Sequence, residues 1–333
     1  MNATDFGPVI EAIRRGQRFL VASHVDPEGD SLGSQLALAQ ILDDLGKEVA
    51  VVNQDQPPAR FDFMPGIRRI LKPAAVAGQR FDGAFVVDCA SLERIGNVRE
   101  RLDGVEILNL DHHRSNTRFG AINYIQPDIC ASGMIVYELN EALGLPLTAD
   151  KATNMYVGII SDTGNFRYSN TTPEVLRVGS RLIETGIDSA RIASLVFATK
   201  SQAALRLLGE ALTSLSSEVG GKVGLIVLDR AVFERTGAES PDVEGIVNYA
   251  KQLAGTDVGV LLREVESGEV KASFRAEGAV DVDKVASRFG GGGHRNAAGA
   301  RLPGPLAEAR KRVLAELERA IAPAAGSGAE AKR

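Results

Sequence analysis

Tryptophan is absent from this 333-residue chain, and cysteine occurs only twice, histidine four times and tyrosine five times. Two cysteines, Cys89 and Cys130, cannot build a disulfide framework, and their apolar surroundings fit a reducing compartment. No stretch approaches ~18 apolar residues without charge, so no membrane span is expected. Residues 1–7 lack a basic region followed by an apolar core, so no signal peptide is expected and the chain reads as cytoplasmic. An excess of positive charge is also missing: 38 Lys and Arg stand against 43 Asp and Glu, a net charge of -5. That removes the electrostatic footing for long duplex nucleic acid, while a small anion held by local cations or metals stays within reach.

What is present is an ordinary soluble mixture, 44% hydrophobic and 24% charged, which argues against bulk disorder and against a coiled coil. A chain of this length usually splits into about two domains. The 35 glycines show no collagen period and point to tight turns or backbone-built binding loops.

In the first half, short apolar runs alternate with helical patterns. Phe19–Ala22 reads as a buried strand. Leu32, Leu36, Ala39, Leu42 and Leu45 follow at helical spacing up to Gly46, and Val49–Val52, Phe85–Val87 and Ile107–Leu110 repeat the strand theme. Continuous apolar runs separated by helices predict a parallel sheet covered on both faces. The expected fold is α/β, with a Rossmann-like parallel-sheet domain over residues 1–190 and a smaller mixed-sheet α+β domain over 218–321. The second rests on strands at 221–228, 258–265 and 270–274, with helices near 242–254, 281–288 and 305–321. Residues 266–269 (Glu-Ser-Gly-Glu) read as the turn of a hairpin. A helical connector is expected over 191–217 and a disordered tail over 322–333.

The chemistry collects where the apolar runs end. The run 19–22 leads into Ser23-His24-Val25-Asp26-Pro27-Glu28-Gly29-Asp30, the run 85–87 into Asp88, and the run 107–110 into Asp111-His112-His113. Ligands of open parallel sheets bind beyond the carboxyl ends of the strands. Three strands thus carry His and carboxylate groups to one edge. Singly, each such residue is as readily structural; Asp162, closing another apolar segment, reads by itself as a helix cap. Together they form a hard to borderline ligand set without thiolate, suited to Mn2+ or Mg2+, with Zn2+, Co2+ and Fe2+ as alternatives. Clustered acids without cations would raise one another's pKa values, and two divalent ions would relieve this.

These motifs, in this order, resemble the DHH/DHHA1 phosphoesterases, in the branch that degrades short oligoribonucleotides and dephosphorylates 3'-phosphoadenosine 5'-phosphate (pAp). His24 to Asp30 with Leu32-Gly33-Ser34 resembles the first family motif, Val87-Asp88 the second, and Asp111-His112-His113 with Asn116 and Phe119 the third. Asp162-Thr163-Gly164 with Phe166-Arg167-Tyr168 resembles the fourth. Phe289 to Gly299, with its run of four glycines, resembles the DHHA1 glycine motif. The resemblance spans roughly residues 10–320.

The resemblance implies two divalent cations, with Mn2+ favoured and Mg2+ or Co2+ as alternatives. One would be held by His24, Glu28 and Asp88, the other by Asp30, His112 and Asp162, with Asp88 bridging. Glu28 stands where the family usually has Asp, which keeps Asp26 as a secondary candidate ligand. Asp111 would orient a histidine or the local turn, and His113 would face the substrate phosphate or protonate the leaving oxygen. Arg114, Asn116, Ser273, Arg275, Gly291, Gly292, Gly293, His294 and Arg295 would bind the substrate. Ala276 replaces a commonly found serine. The implied activity is metal-dependent hydrolysis of short RNA (an exoribonuclease) and of pAp, with chemistry in the first domain and recognition in the second. A cyclic-dinucleotide phosphodiesterase, acting on c-di-AMP or its linear product, is the nearest alternative, and a non-catalytic nucleotide sensor is the alternative of another class. Partners are short oligoribonucleotides or small nucleotides, with no long duplex and no membrane; apolar helix faces would allow a homodimer.

Overall fold

The computed structural model describes residues 5–265 and 267–321. The tail expected over 322–333, and Glu266 of the expected turn, lie outside the described residues. The chain divides after Thr199 into two compact units, a point inside the segment read as a connector.

The first unit runs α1 (Gly7–Arg15), β1 (Arg18–Ala22), α2 (Gly29–Asp44), β2 (Glu48–Val52), β3 (Ile70–Leu71), β4 (Gly83–Val87), β5 (Glu106–Asp111), β6 (Ile122–Ile125), α3 (Ser132–Ala142), α4 (Ala149–Asp162), α5 (Pro173–Glu184) and α6 (Ser189–Ala193). Its six strands lie in the order β3-β2-β1-β4-β5-β6, every pairing parallel. The chain steps outward from β1 to β3 and then returns to β4. The order therefore reverses between β1 and β4, which opens a crevice at their carboxyl ends.

Both sheet faces are covered, as the continuous apolar runs require. Val21, Phe85, Leu108 and Leu110 pack with α2, α3 and α4 on one side. Leu20, Ala22, Ala84 and Val86 pack with Val76, Ile95 and Val98 on the other. Helix α2 begins in a capping box, in which the Glu28 side chain accepts from Ser31 N and Ser31 Oγ accepts from Glu28 N. From Gly29 to Ala39 every residue of α2 is buried, so this is a central helix. Its closest neighbour is α4: a Cβ on Gly33 would lie 2.3 Å from Asn154 O, so only glycine permits this approach.

The second unit runs α7 (Gln202–Thr213), β7 (Ser216–Glu218), β8 (Val223–Leu228), α8 (Arg230–Thr236), α9 (Ile246–Lys251), β9 (Val258–Glu264), β10 (Glu269–Ala276), α10 (Val282–Ser287), β11 (Gly292–His294), β12 (Ala297–Pro303) and α11 (Leu306–Ile321). The strand order is β11-β12-β10-β9-β8-β7; β8 and β9 are parallel and the other pairs antiparallel, giving a mixed sheet. The helix expected over 242–254 is shorter. Residues Ser240–Val243 form a 3-10 turn, and α9 starts only after Gly245, whose φ of 82° breaks the helix. In β10 burial alternates. Val270, Ala272 and Phe274 enter a core with α10 and α11, while Lys271, Ser273 and Arg275 take the opposite face. No helix among the described residues is long and apolar enough to cross a membrane.

Candidate active site

The crevice at the switch point is where the acidic and imidazole groups gather. His24 follows β1, Asp88 follows β4, Asp111 ends β5 with His112 and His113 just beyond, Asp30 sits in the first turn of α2, and Asp162 ends α4. Asp88 has a φ of 52°, a left-handed conformation that is uncommon for a residue with a Cβ and concentrates at functional positions. The turn aims its carboxylate inward, where it lies 3.6 Å from His24 Nε2, 3.4 Å from His112 Nε2 and 3.7 Å from His113 Nδ1.

Within the first unit, three groups each bring their donor atoms within 4.8 Å of one another: His24, Glu28 and Asp88; Asp30, His112 and Asp162; and Asp88, Asp111 and His113. Asp26 is exposed, its backbone N–H donates to Asp55, and it belongs to none of these groups.

The ring orientations fit a cation. His24 Nδ1 lies 2.7 Å from Val25 O and His112 Nδ1 lies 3.3 Å from Ile129 O. Each Nδ1 therefore carries a proton, and each Nε2 turns toward carboxylates. His112 Nε2 is 3.2 Å from Asp162 and 3.7 Å from Asp30. A lone pair facing carboxylate oxygens needs a proton or a metal ion between them. The pKa values express this competition. In His112 burial opposes the charged form, but Asp162 and Asp88 outweigh it and hold the ring well above its ordinary value. His24 is raised in the same way by Asp88 against its own burial. Burial, then the charges of Asp88 and Asp162, push Asp30 well above the carboxylate range. Burial would raise Asp88 too, but its hydrogen bonds with His112 and His24 hold it well below. Both thiols are withdrawn from this chemistry: burial pushes Cys89 and Cys130 up to about 12.

A second layer fixes the donors. Asp30 Oδ2 accepts from Ser132 N (2.6 Å) and Oδ1 from Gly133 N (2.8 Å), so the start of α3 grips the carboxylate. Ser132 Oγ donates to Asp88 Oδ1 at 3.1 Å. Sequence reasoning missed Ser132 and Gly133. Their signal was faint, a Ser-Gly pair opening an apolar helical stretch about a hundred residues from Asp30. Asp111 Oδ1 accepts from His112 N (2.8 Å) and from His113 Nδ1 (2.7 Å). Burial raises Asp111, but the bond and charge of His113 prevail and keep it low. Beneath the site, Asn53 and Gln35 form a buried reciprocal amide pair; Asn53 Oδ1 also accepts from Ser23 N, and Ser23 Oγ donates to Val87 O, tying β1 to β4 just before His24 and Asp88.

Two residues expected at the substrate have internal partners. Asn116 Nδ2 donates to Asp111 Oδ2, Asn109 Oδ1 and Cys89 O, which makes it a brace on Asp111. Arg114 forms an exposed ion pair with Asp128 at 2.8 Å.

In the second unit, the register places His294 and Arg275 on either side of Ala297, and Ser273 beside Gly299, so the three share one sheet face. The glycine run has a packing reason. Gly292 pairs with Gly299 as part of β11, and a Cβ on Gly291 or Gly293 would lie 2.1 Å from Gly299 O or 2.5 Å from Ala297 O. Gly291 N donates to Ala286 O and Gly293 N to Asp283 Oδ1. Arg295 caps the carbonyls of Gly278 and Ala279.

Comparison with known proteins accounts for this layout. Residues 18–159 match the family described as DHH family, N-terminal domain, and residues 224–322 match the DHHA1 domain. The chain belongs to the DHH/DHHA1 phosphoesterase family. It is 38% identical over 298 residues to the bifunctional oligoribonuclease and PAP phosphatase NrnA of Thermus thermophilus, covering 88% of this chain and 87% of that one. Against the protein of the same name from Bacillus subtilis the identity is 25% over 315 residues, covering 93% and 96%. The solved structure of an exopolyphosphatase-related protein from Bacteroides fragilis superposes with a TM-score of 0.87 at 28% identity, covering 94% of this chain and 95% of that chain.

Proposed function

We propose that the chain is a metal-dependent phosphoesterase that hydrolyses short RNA oligonucleotides from an end and removes a phosphate from pAp. The observation that carries this is the gathering at one sheet switch point of two His-carboxylate donor groups and of His113 held by Asp111. The names of the relatives agree in substrate and reaction class.

His24, Glu28 and Asp88 would hold one divalent cation and Asp30, His112 and Asp162 a second, with Asp88 shared; Glu28 rather than Asp26 is the ligand of choice because it alone lies in a group. Bound metal supplies Lewis-acid polarisation of the phosphoryl group and a water of lowered pKa. Hard oxygen ligands with a single imidazole per group favour Mn2+. The protein's own part is orientation and proton handling. Ionised Asp111 accepts from His113 Nδ1 and so fixes the ring with Nε2 turned away from it, the atom that would face a phosphate oxygen or the leaving oxygen. Ser273, Arg275 and His294 are the proposed phosphate grip of the second unit, Arg275 by paired guanidinium bonds. A cytoplasmic location and a homodimer complete the proposal; the first is supported by two free, buried cysteines.

The deciding experiment is hydrolysis of pAp, a 5'-phosphorylated RNA dimer and c-di-AMP, with Mn2+ and with EDTA. Release of adenosine monophosphate from pAp and mononucleotides from the dimer, abolished by EDTA, is the expected result. Absence of any metal-dependent product would end the enzyme reading, and selective cleavage of c-di-AMP would replace it.

A further inference from the structure

The strap that follows Asp88 carries a cation that the proposed reaction has not used. Residues Leu92–Arg101 form a 3-10 segment, in which Leu92, Ile95 and Val98 recur every third residue and dock one side on the sheet. Arg94 is left on the outside, exposed. Its backbone is nevertheless fastened to the crevice. Arg94 O accepts from Val25 N at 2.7 Å, beside His24, and Asn97 N donates to Gln54 Oε1 at 2.8 Å, just beyond β2. Gly96 permits this approach: its φ is 60°, and a Cβ there would lie 1.9 Å from Gln54 Oε1.

The charge of Arg94 acts on both sides of the switch point. After β1, His24 is lowered by burial and raised more strongly by Asp88, and Arg94 lowers it again. After β4, burial pushes Cys89 up to about 12, and Arg94 is the largest influence opposing this. Two other arginines of the family-like motifs are engaged elsewhere: Arg114 pairs with Asp128, and Arg167 Nε donates to Gly164 O. Among the described residues, the Arg94 guanidinium has no ion pair and no hydrogen bond. A fixed positive charge here works against metal binding, since like charges repel. It favours an anion. The four carboxylates of the two proposed donor groups match the charge of two divalent ions, so an arriving phosphoryl group finds its own charge unbalanced. A planar guanidinium can bind two phosphate oxygens at once.

We propose that Arg94 is a substrate-binding residue, which grips the non-bridging oxygens of the phosphoryl group under attack. This deepens the phosphoesterase reading and rests on it for the occupant. Every substrate of that reading brings the same group to the crevice, so Arg94 serves pAp and RNA alike.

The test uses the full chain and Arg94→Gln. With Mn2+, kcat/KM falls about 100-fold on pAp and by a similar factor on a 5'-phosphorylated RNA dimer. Mn2+ affinity without substrate, measured by calorimetric titration, is equal or tighter in the variant, because a repelling charge has been removed. The melting temperature in EDTA is unchanged, because the side chain has no partner to lose. Substrate and metal thus respond in opposite directions, which a structural brace would not produce. Weaker Mn2+ binding, a lower melting temperature, a loss confined to one substrate, or activity within about twofold of the unaltered chain overturns the assignment. Failure of the enzyme reading is separate, because it would appear as inactivity of the unaltered chain on every substrate. In that event equilibrium binding of pAp in Mn2+ decides: equal binding by the unaltered chain and the variant overturns the role of Arg94, and weaker binding by the variant upholds it.

Discussion

Asp88 has three imidazoles and one hydroxyl around a single carboxylate, and no neighbour can replace it because its direction comes from a left-handed turn. Asp88→Asn keeps the shape and removes the charge. Bound Mn2+, counted by elemental analysis, is expected to fall by at least one ion per chain, with activity lost along with it. Asp111→Asn separates orientation from metal binding. Asn can still accept from His113 Nδ1 but with a weaker, uncharged acceptor to hold the ring; kcat drops about 10–100-fold, while the metal count and KM for pAp stay as they were. A loss of metal in that variant would show that Asp111 is a ligand. Ser132→Ala removes one bond from Asp88 and about 1 kcal/mol of positioning, which should appear as weaker Mn2+ affinity with the fold intact. Asp88 and Asp111 were legible in the sequence because an acid that closes an apolar strand lies at a known edge of a parallel sheet. Ser132 was not, since its partner is Asp88 across the fold and nothing near it in the chain marks that bond.

At the scale of elements, the packing of α2 on α4 sets the distance between Asp30 and Asp162. A Cβ on Gly158 would lie 2.6 Å from Asp30 Oδ1, and one on Gly33 2.3 Å from Asn154 O. Gly33→Ala drives two backbones apart and should cost about 1–3 kcal/mol. Gly158→Ala presses on a ligand and should lower Mn2+ affinity by more than its effect on stability implies. Equal effects of the two variants on metal binding, at equal loss of stability, would refute this division. The strand starts supply a pH dependence. Asp82 Oδ2 accepts from Gln17 N (2.7 Å) and Arg18 N (2.8 Å), joining the approach to β4 with that to β1, and these bonds hold its pKa below the ordinary carboxylate value. With the folded pKa depressed, the stabilisation is fully present above the unfolded value and fades as pH falls through the folded one. Urea midpoints of the natural chain and Asp82→Asn should therefore differ at neutral pH and converge in acid; a gap that widens in acid would contradict the sign. Long apolar strands and the helix from Leu32 to Gly46 could be read in advance from periodicity. The short strands β3, β7 and β11 could not, because each is defined by its neighbour. Gly292 joins β11 only because β12 folds back on it, which no local pattern announces.

At the scale of the molecule, each unit has its own core, and the two proposed cation groups draw all their donors from the first. Metal binding should therefore be coupled to the folding of one unit and not the other. A ligand at 100 times its dissociation constant adds about 2.7 kcal/mol to the state that binds it. In differential scanning calorimetry, exchanging EDTA for excess Mn2+ should raise the melting of the first unit and leave that of the second in place. Asp88→Asn supplies the assignment, because in that variant the Mn2+-dependent shift should shrink or vanish while the other transition is untouched. A uniform shift of both transitions would mean that the units unfold as one, or that the second unit contributes donors of its own. The dependence on the ion distinguishes these outcomes. If the units unfold as one, Asp88→Asn reduces the shift of both together; if the second unit binds metal itself, its own shift survives the substitution.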